Sequence, residues 1–295
     1  MPRLILHADD FGLTPGINRA IAELHRAGVL SSASLMATGR AFEDAAMLAL
    51  ANSGLGVGCH LVFVDGAPVS RPQDIPTLLG GDGETFRPSL LDFAQAALRG
   101  IITAGDLERE TQAQIEKLQF AGIDVTHIDS HKHALLFPSI AAPVLRAAER
   151  RGVLPVRYPF EPAWSSAVSG APLLRRLQLH ALDRFEPSFR TLTQSRRILG
   201  QVPDGTLGIA ATGTLRRESL RATLHPLLSL SPDSVWELCC HPAFVDDALR
   251  LEHTRLIESR EAELSAFLAI VPDFLRIPGA PALIHYGDLV GKGHT

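Results

Sequence analysis

The chain has 295 residues, 46% of them hydrophobic and 20% charged, with a formal net charge of -4, enough to bury one large core as a barrel-type domain or two smaller ones. The charges are scattered rather than blocked, which argues against a dedicated nucleic-acid surface and favours a small or neutral ligand. No apolar run reaches membrane-spanning length without charge or proline, "MPRLILHADD" is too short in apolar residues for a signal peptide, and Cys59, Cys239 and Cys240 form no CxxC pattern, so the expected location is the cytoplasm with reduced core thiols.

Strand-like and helix-like runs alternate along the chain. After the strand "LILHA", a helix begins at Thr14, which can cap it. Pro15 sits in its first turn, and Ile17, Ala20, Ile21 and Leu24 share one face before Gly28 stops it. "SSASLMA" reads as a strand, 42–50 as a helix and "LGVGCHLVF" as a strand. The segment 64–88 is rich in Gly, Pro and Asp, follows a strand and is too long for a plain connection, so an active-site loop is expected there. Helices over 90–98 and 107–121 precede "GIDVTHIDSHKH", a strand running into a polar turn.

"PSIAAPVLRAAERRG" then reads as a helix and "VLPVRYPFE" as a strand entering a proline-rich loop. The arginine-rich stretch 162–205, with helix-like pieces around 173–185, is expected to be a small subdomain or lid. "TLGIAA", "SVWELCCH" and "PALIHYGDL" complete the strands, with helices over 219–228 and 251–268 between them. Such alternation predicts an α/β fold with a parallel sheet and helical crossovers. The single file of units, with no glycine-rich phosphate turn after the first strand, favours an irregular (β/α) barrel of about seven parallel strands over an open doubly wound sheet. One TIM-like barrel domain over 1–295 is therefore expected, with a lid or insertion near 162–205.

Five polar features fall just after expected strands: Asp9 with Asp10, then His60, then His131 with His133, then Arg157, then His241. In a barrel those ends open on one face, where active sites sit. A carboxylate with two imidazoles is a common shell for a divalent ion that leaves positions open for water and substrate, and Asp10, His60 and His131 are the expected ligands. Zn(II), Mg(II), Mn(II), Co(II) and Fe(II) are all admissible there. Asp9 is then free to act as general base, His241 as general acid, and Arg157 to hold Asp9 ionised or bind substrate. His133 could replace His131 or orient a ligand, and Asp129, two residues before His131, could orient a ligand or serve as a fourth. Each has a structural alternative: the Asp pair as a helix cap, His60 as a core histidine, Arg157 as a partner of Glu161 or another surface carboxylate.

Taken in order, "HADDFGLTPGINRAI", "SSASLMA", "LGVGCHL", "THIDSHKH" and "CHPA" resemble the YdjC-like carbohydrate deacetylases, also called the ChbG/HpnK family, over nearly the whole chain. The resemblance implies an irregular (β/α) barrel and a divalent metal held by Asp10, His60 and His131. It implies Asp9 as catalytic base and hydrolysis of the N-acetyl group of acetylated amino sugars. "HLVFVDGAPVSRPQDIPTLLGGDGETF" and "VRYPFEP" are similar to the hopanoid-associated HpnK branch, whose implied substrate is an N-acetylglucosaminyl group on a hopanoid lipid. That branch continues its histidine motif as HxHxH, whereas here His133 is followed by Ala134 and Leu135. A homodimer is expected, with no nucleic-acid partner, no membrane span, and peripheral membrane contact if the substrate is a lipid. The alternatives are a metal-dependent phosphoesterase, which would want a basic cluster or second metal site, and a sugar-binding or scaffold protein without turnover.

Overall fold

A computed structural model describes residues 1–195 and 202–290. Its elements are β1 (Arg3–Phe11), α1 (Pro15–Arg26), β2 (Ser32–Leu35), α2 (Phe42–Ala51), β3 (Gly56–Leu61), α3 (Leu90–Leu98), α4 (Ala104–Phe120), β4 (Val125–Ser130) and α5 (Pro138–Arg150). Then follow α6 (Ala163–Val168), α7 (Leu173–Leu182), α8 (Glu186–Ser195), β5 (Gly205–Leu207), α9 (Arg217–Leu224), β6 (Val235–Cys240), α10 (Asp247–Arg250), α11 (Glu258–Leu275) and β7 (Ala282–Leu283). The sheet runs β4-β3-β2-β1-β6-β5, with β7 against the start of β1, and all these pairings are parallel. It curls into an irregular half-barrel wrapped by helices, as the alternation of elements predicts.

β1 is buried from Leu4 to its end, and β2 and β3 throughout, so they read as near-continuous apolar or small-residue runs. In α1 the Thr14 hydroxyl accepts from the Ile17 N–H, and Gly28, at φ +70°, supplies the left-handed residue that ends the turn. The helix expected over 107–121 starts earlier because Thr103 caps Asp106. That expected over 251–268 is displaced: Asp246 caps the single turn α10, and the long helix runs over Glu258–Leu275.

The strand expected at "VLPVRYPFE" is the clearest departure. Among the described residues only one isolated bridge forms there, between Val156 and Ile128, because Pro155 and Pro159 have no N–H to give to a ladder. The segment 155–160 still spans the gap between the sheet edges. On one side Ile128 N donates to Pro155 O (3.0 Å) and Arg157 N to Ile128 O (3.1 Å); on the other, Thr206 N donates to Phe160 O (3.2 Å). It carries Arg157 to the mouth of the barrel.

Within the expected lid, α6, α7 and α8 are helical, and residues 196–201 lie outside the described residues. Phe189 of α8 is anchored on Tyr158 and Phe160, with ring centroids 5.8 Å from each. By contrast α7 buries none of its residues. Among the described residues no helix is long and apolar enough to cross a membrane.

Candidate functional site

Parallel pairing brings the strand ends to one face, and register decides which side chains meet there. Ala8 pairs with Cys240, so Asp9 and His241 follow each other across β1 and β6; His60 pairs with Asp129 across β3 and β4. Neighbouring residues of a regular strand point to opposite faces. Here the β1–β2 register shifts between Ala8 and Phe11, and Asp10 takes φ +65°, a left-handed conformation that aspartate tolerates better than most residues. The irregularity lets both Asp9 and Asp10 line the same cleft.

The two carboxylates are handled separately. Arg157 binds Asp9 with two donors, Nη1 to Oδ2 at 3.0 Å and Nη2 to Oδ1 at 2.6 Å. The same guanidinium lies 2.8 Å from Asp129 and donates to Glu237 at 2.8 Å, while Glu237 accepts from Tyr286 (2.6 Å) and Thr206 (2.9 Å). Asp10 is paired instead with Arg260, Nη2 to Oδ2 at 2.6 Å. Burial pushes both carboxyls up, but Arg157 and then the His7 hydrogen bond outweigh it at Asp9, and Arg260 and His131 at Asp10. Both are held well below the usual carboxylate range.

The other oxygen of Asp10 faces two imidazoles, His60 Nε2 at 3.6 Å and His131 Nδ1 at 3.4 Å. At metal–ligand bonds of roughly 2.0–2.2 Å, ligands around a four-coordinate ion stand about 3.4 Å apart, so these three atoms fit one divalent cation. The far nitrogen of His60 supports the fit, because Nδ1 meets Asp129 Oδ1 at 2.8 Å and Ser34 Oγ at 3.0 Å, which leaves Nε2 to the cation. Burial alone would lower the His60 pKa, but Asp129, with Asp9 and Asp10, pushes it up to about 9, so a cation taking Nε2 must displace a proton. Burial pushes His131 down, towards the neutral form that a ligand needs.

Three other groups lie within ligand distance among the described residues: Asp9 with Cys239 and His241, Asp9 with His60 and Asp129, in both of which Arg157 already holds the Asp9 oxygens, and the group His7, His127 and Asp129. The last suits a cation poorly: its three residues are buried, they do not line the cleft, and the Arg157 guanidinium is 2.8 Å from Asp129 Oδ2.

The expected residues gather at one end of the barrel, with different partners for each. His131, not His133, enters the Asp10–His60 triangle; His133 lines the cleft, with burial pushing its pKa down to about 3. Asp129 orients His60 and does not bond His131. Arg157 does not partner Glu161, which accepts instead from Ser165 and the Gly208 and Ala210 amides. His241 stands beside Asp9, Nε2 to Oδ2 at 3.6 Å, because β6 pairs directly with β1. Its backbone N–H donates to Glu263 at 2.7 Å. His7, to which the sequence assigns no role, is buried with Nε2 3.4 Å from Asp9; it stands two residues earlier on the same strand face, a signal that alternation alone could have raised. Glu237, a carboxylate inside an apolar strand, was a comparable signal, whereas nothing in the sequence around Arg260 points to the site.

The cleft above these groups is about 880 Å³. Asp65, Gly66 and Ala67 of the 64–88 loop contribute to its wall, and Glu110 holds that loop by accepting from the Val69 and Ser70 amides at 2.9 Å each. Leu136, Phe160, Leu179, Leu182, Ile209 and Leu256 make much of the remaining wall apolar.

A family model described as "YdjC-like protein" matches residues 3–270. A carbohydrate deacetylase from Geobacillus stearothermophilus is 34% identical over 251 residues, 83% of this chain and 82% of the relative. One from Listeria monocytogenes is 31% identical over 265 residues, 89% of this chain and 90% of the relative. One from Brevibacillus brevis is 44% identical over 158 residues, 54% of this chain and 60% of the relative. A crystal structure from Enterococcus faecalis V583, of a protein named for cellobiose-phosphate cleavage, superposes with a TM-score of 0.78 at 23% identity, covering 97% of this chain and 98% of the other. That likeness is one of fold.

Proposed function

The chain belongs to the YdjC-like family, and on that premise we propose that it is a metal-dependent carbohydrate deacetylase that hydrolyses the N-acetyl group of an amino sugar to acetate and the free amine. The observation that carries the reading is the triangle of Asp10 Oδ1, His60 Nε2 and His131 Nδ1 at the mouth of the barrel, with Asp9 beside it. The named relatives are carbohydrate deacetylases, which supports the same reaction here.

Asp10, His60 and His131 are the residues that would hold the ion. Asp9 acts as general base on the attacking water. A carboxylate held as low as Asp9 accepts a proton only from an acidified water, and that acidification, with polarisation of the acetyl carbonyl, is the chemistry a divalent cation supplies when bound. Arg157 keeps Asp9 ionised and fixes its plane through two donors. His241, with its side chain 13% exposed and Nε2 turned towards Asp9, delivers a proton to the amine as the C–N bond breaks.

For the substrate we favour an N-acetylglucosaminyl lipid, as in the hopanoid-associated branch, over a short chito-oligosaccharide. The apolar wall of the cleft supports this, and so does α7. Leu179 and Leu182 of that helix line the cleft, while Leu173, Leu174 and Leu177 face solvent at 68%, 69% and 57% exposure. The helix has arginines and no acid, so peripheral contact with a membrane fits its composition. Acetate release from an N-acetylglucosaminyl lipid in vesicles and from soluble chitobiose, with and without chelator, tests both levels. Release abolished by chelator supports the reaction; none from either substrate with cation bound would overturn it. Replacing Leu173, Leu174 and Leu177 with serine should lower turnover of the vesicle substrate by about tenfold, as expected for lost apolar contact with the bilayer, and leave chitobiose unchanged. An equal effect on both would remove the membrane role.

A further inference from the structure

Arg260 occupies a costly position. It is the third residue of α11, where the positive end of the helix dipole disfavours a cation, and its side chain is 1% exposed. Its Nε donates to Leu256 O at 2.8 Å and its Nη2 to Asp10 Oδ2 at 2.6 Å, while Nη1 is buried without a hydrogen-bond partner among the described residues. Burying an arginine with one amino group unpaired costs free energy, and so does the left-handed backbone of Asp10. Both costs converge on a single contact.

That contact divides the two oxygens of Asp10. Oδ2 is taken by the guanidinium, and Oδ1 stands 3.4 Å and 3.6 Å from the imidazole nitrogens. A carboxylate with both oxygens free can give two bonds to one divalent ion and use up a position that water or substrate needs. We infer that Arg260 is a positioning residue that restricts Asp10 to one ligand atom and so keeps a place on the cation open for the reacting groups. The inference rests on the metal centre proposed above. Its positive charge also makes the centre bind cations less tightly than three ligands alone would, so stronger binding and faster turnover are set against each other.

The test uses Co(II) as a probe in the parent, Arg260→Met and Arg260→Lys, reading affinity, visible absorption per bound ion, and kcat and KM for acetate release. Methionine frees Oδ2. The expected result is Co(II) bound at least as tightly as in the parent, weaker visible absorption as the coordination number rises, and kcat lower by about 10–100-fold with KM little changed. Lysine keeps a positive donor on Oδ2, and its spectrum should stay close to the parent's. A methionine variant with the parent's spectrum per bound ion, whether its affinity is kept or lost, would mean that Arg260 only supports the fold and would overturn the inference. A parent that takes up no Co(II) would overturn the centre itself and the inference with it.

Discussion

Asp9→Asn is expected to lower kcat for acetate release by about 10²–10⁴-fold, the usual worth of a positioned general base, while the protein still takes up one cation per chain. Asparagine keeps the shape of the side chain and one acceptor for Arg157 but removes the charge from a buried pair, so a lower melting temperature should accompany the loss and activity is compared well below it. The proposed ligand triangle, Asp10, His60 and His131, leaves out Asp9, both of whose oxygens are held by Arg157, which makes retained cation binding the informative part. Two results would contradict the role. Activity within tenfold of the parent would remove the base, and loss of the cation would make Asp9 a ligand. Excess metal should not restore the variant.

Arg157→Met should cost about 3–5 kcal/mol of stability, the range seen when one partner of a buried ion pair is removed. Arg157 is 3% exposed, and it is shared by Asp9, Asp129 and Glu237, which would be left buried together without it. The pH dependence should also change sign. In the parent, burial works to raise Asp9 and Asp129, but Arg157 and the neighbouring histidines hold both below their unfolded values. Stability from that source is present above the unfolded carboxylate pKa and lost as pH falls through the lowered ones. Without Arg157, burial and mutual repulsion should raise these carboxyls above their unfolded values, so the folded state binds more protons than the unfolded one and gains stability as pH falls. Urea midpoints at pH 8 and pH 5 separate the cases when the variant is read against the parent, because His60, His131 and His133 titrate out of step with the unfolded chain in both: the variant's deficit should shrink towards pH 5. A variant within 1 kcal/mol of the parent at pH 8 would contradict the account.

Much of this was legible in the sequence, for reasons that particular residues make clear. The order of strands and helices follows from periodicity and from local stop signals such as Thr14, Pro15 and Gly28, which act within a turn or two and need no tertiary information. The fold class follows from that order. The segment 155–160 was harder, since apolar residues suggest a strand while Pro155 and Pro159 deny it a ladder; what the sequence could not convey is that both sheet edges still use its few free groups. At the site, residues at strand ends could be named in advance because a parallel barrel puts all those ends on one face. Their pairing could not be, since it depends on strand order. That β6 lies against β1 is what brings His241 within 3.6 Å of Asp9. Arg260 reaches Asp10 across 250 positions of chain from the first turn of a helix, a placement that no local pattern encodes.

The arrangement also bears on the stretch "ADDFG" at the end of β1. Two adjacent buried carboxylates are tolerated because each has its own guanidinium: Arg157 at Asp9, from the irregular segment between the sheet edges, and Arg260 at Asp10, from α11. On the proposed roles, one carboxylate is thereby reserved for a proton and the other for a cation. A single shared arginine would couple the two roles; separate partners let the proton affinity of Asp9 be set without altering the ligand.

The measurement that reaches the central claim most directly is acetate release followed during titration of metal-stripped protein with a divalent cation, beside His60→Ala. Activity is expected to rise in proportion to bound ion and saturate at one ion per chain, with neither high-affinity binding nor turnover in the variant. Turnover that is independent of the cation, or that survives in His60→Ala with the parent's dependence on it, would contradict the centre placed at Asp10, His60 and His131.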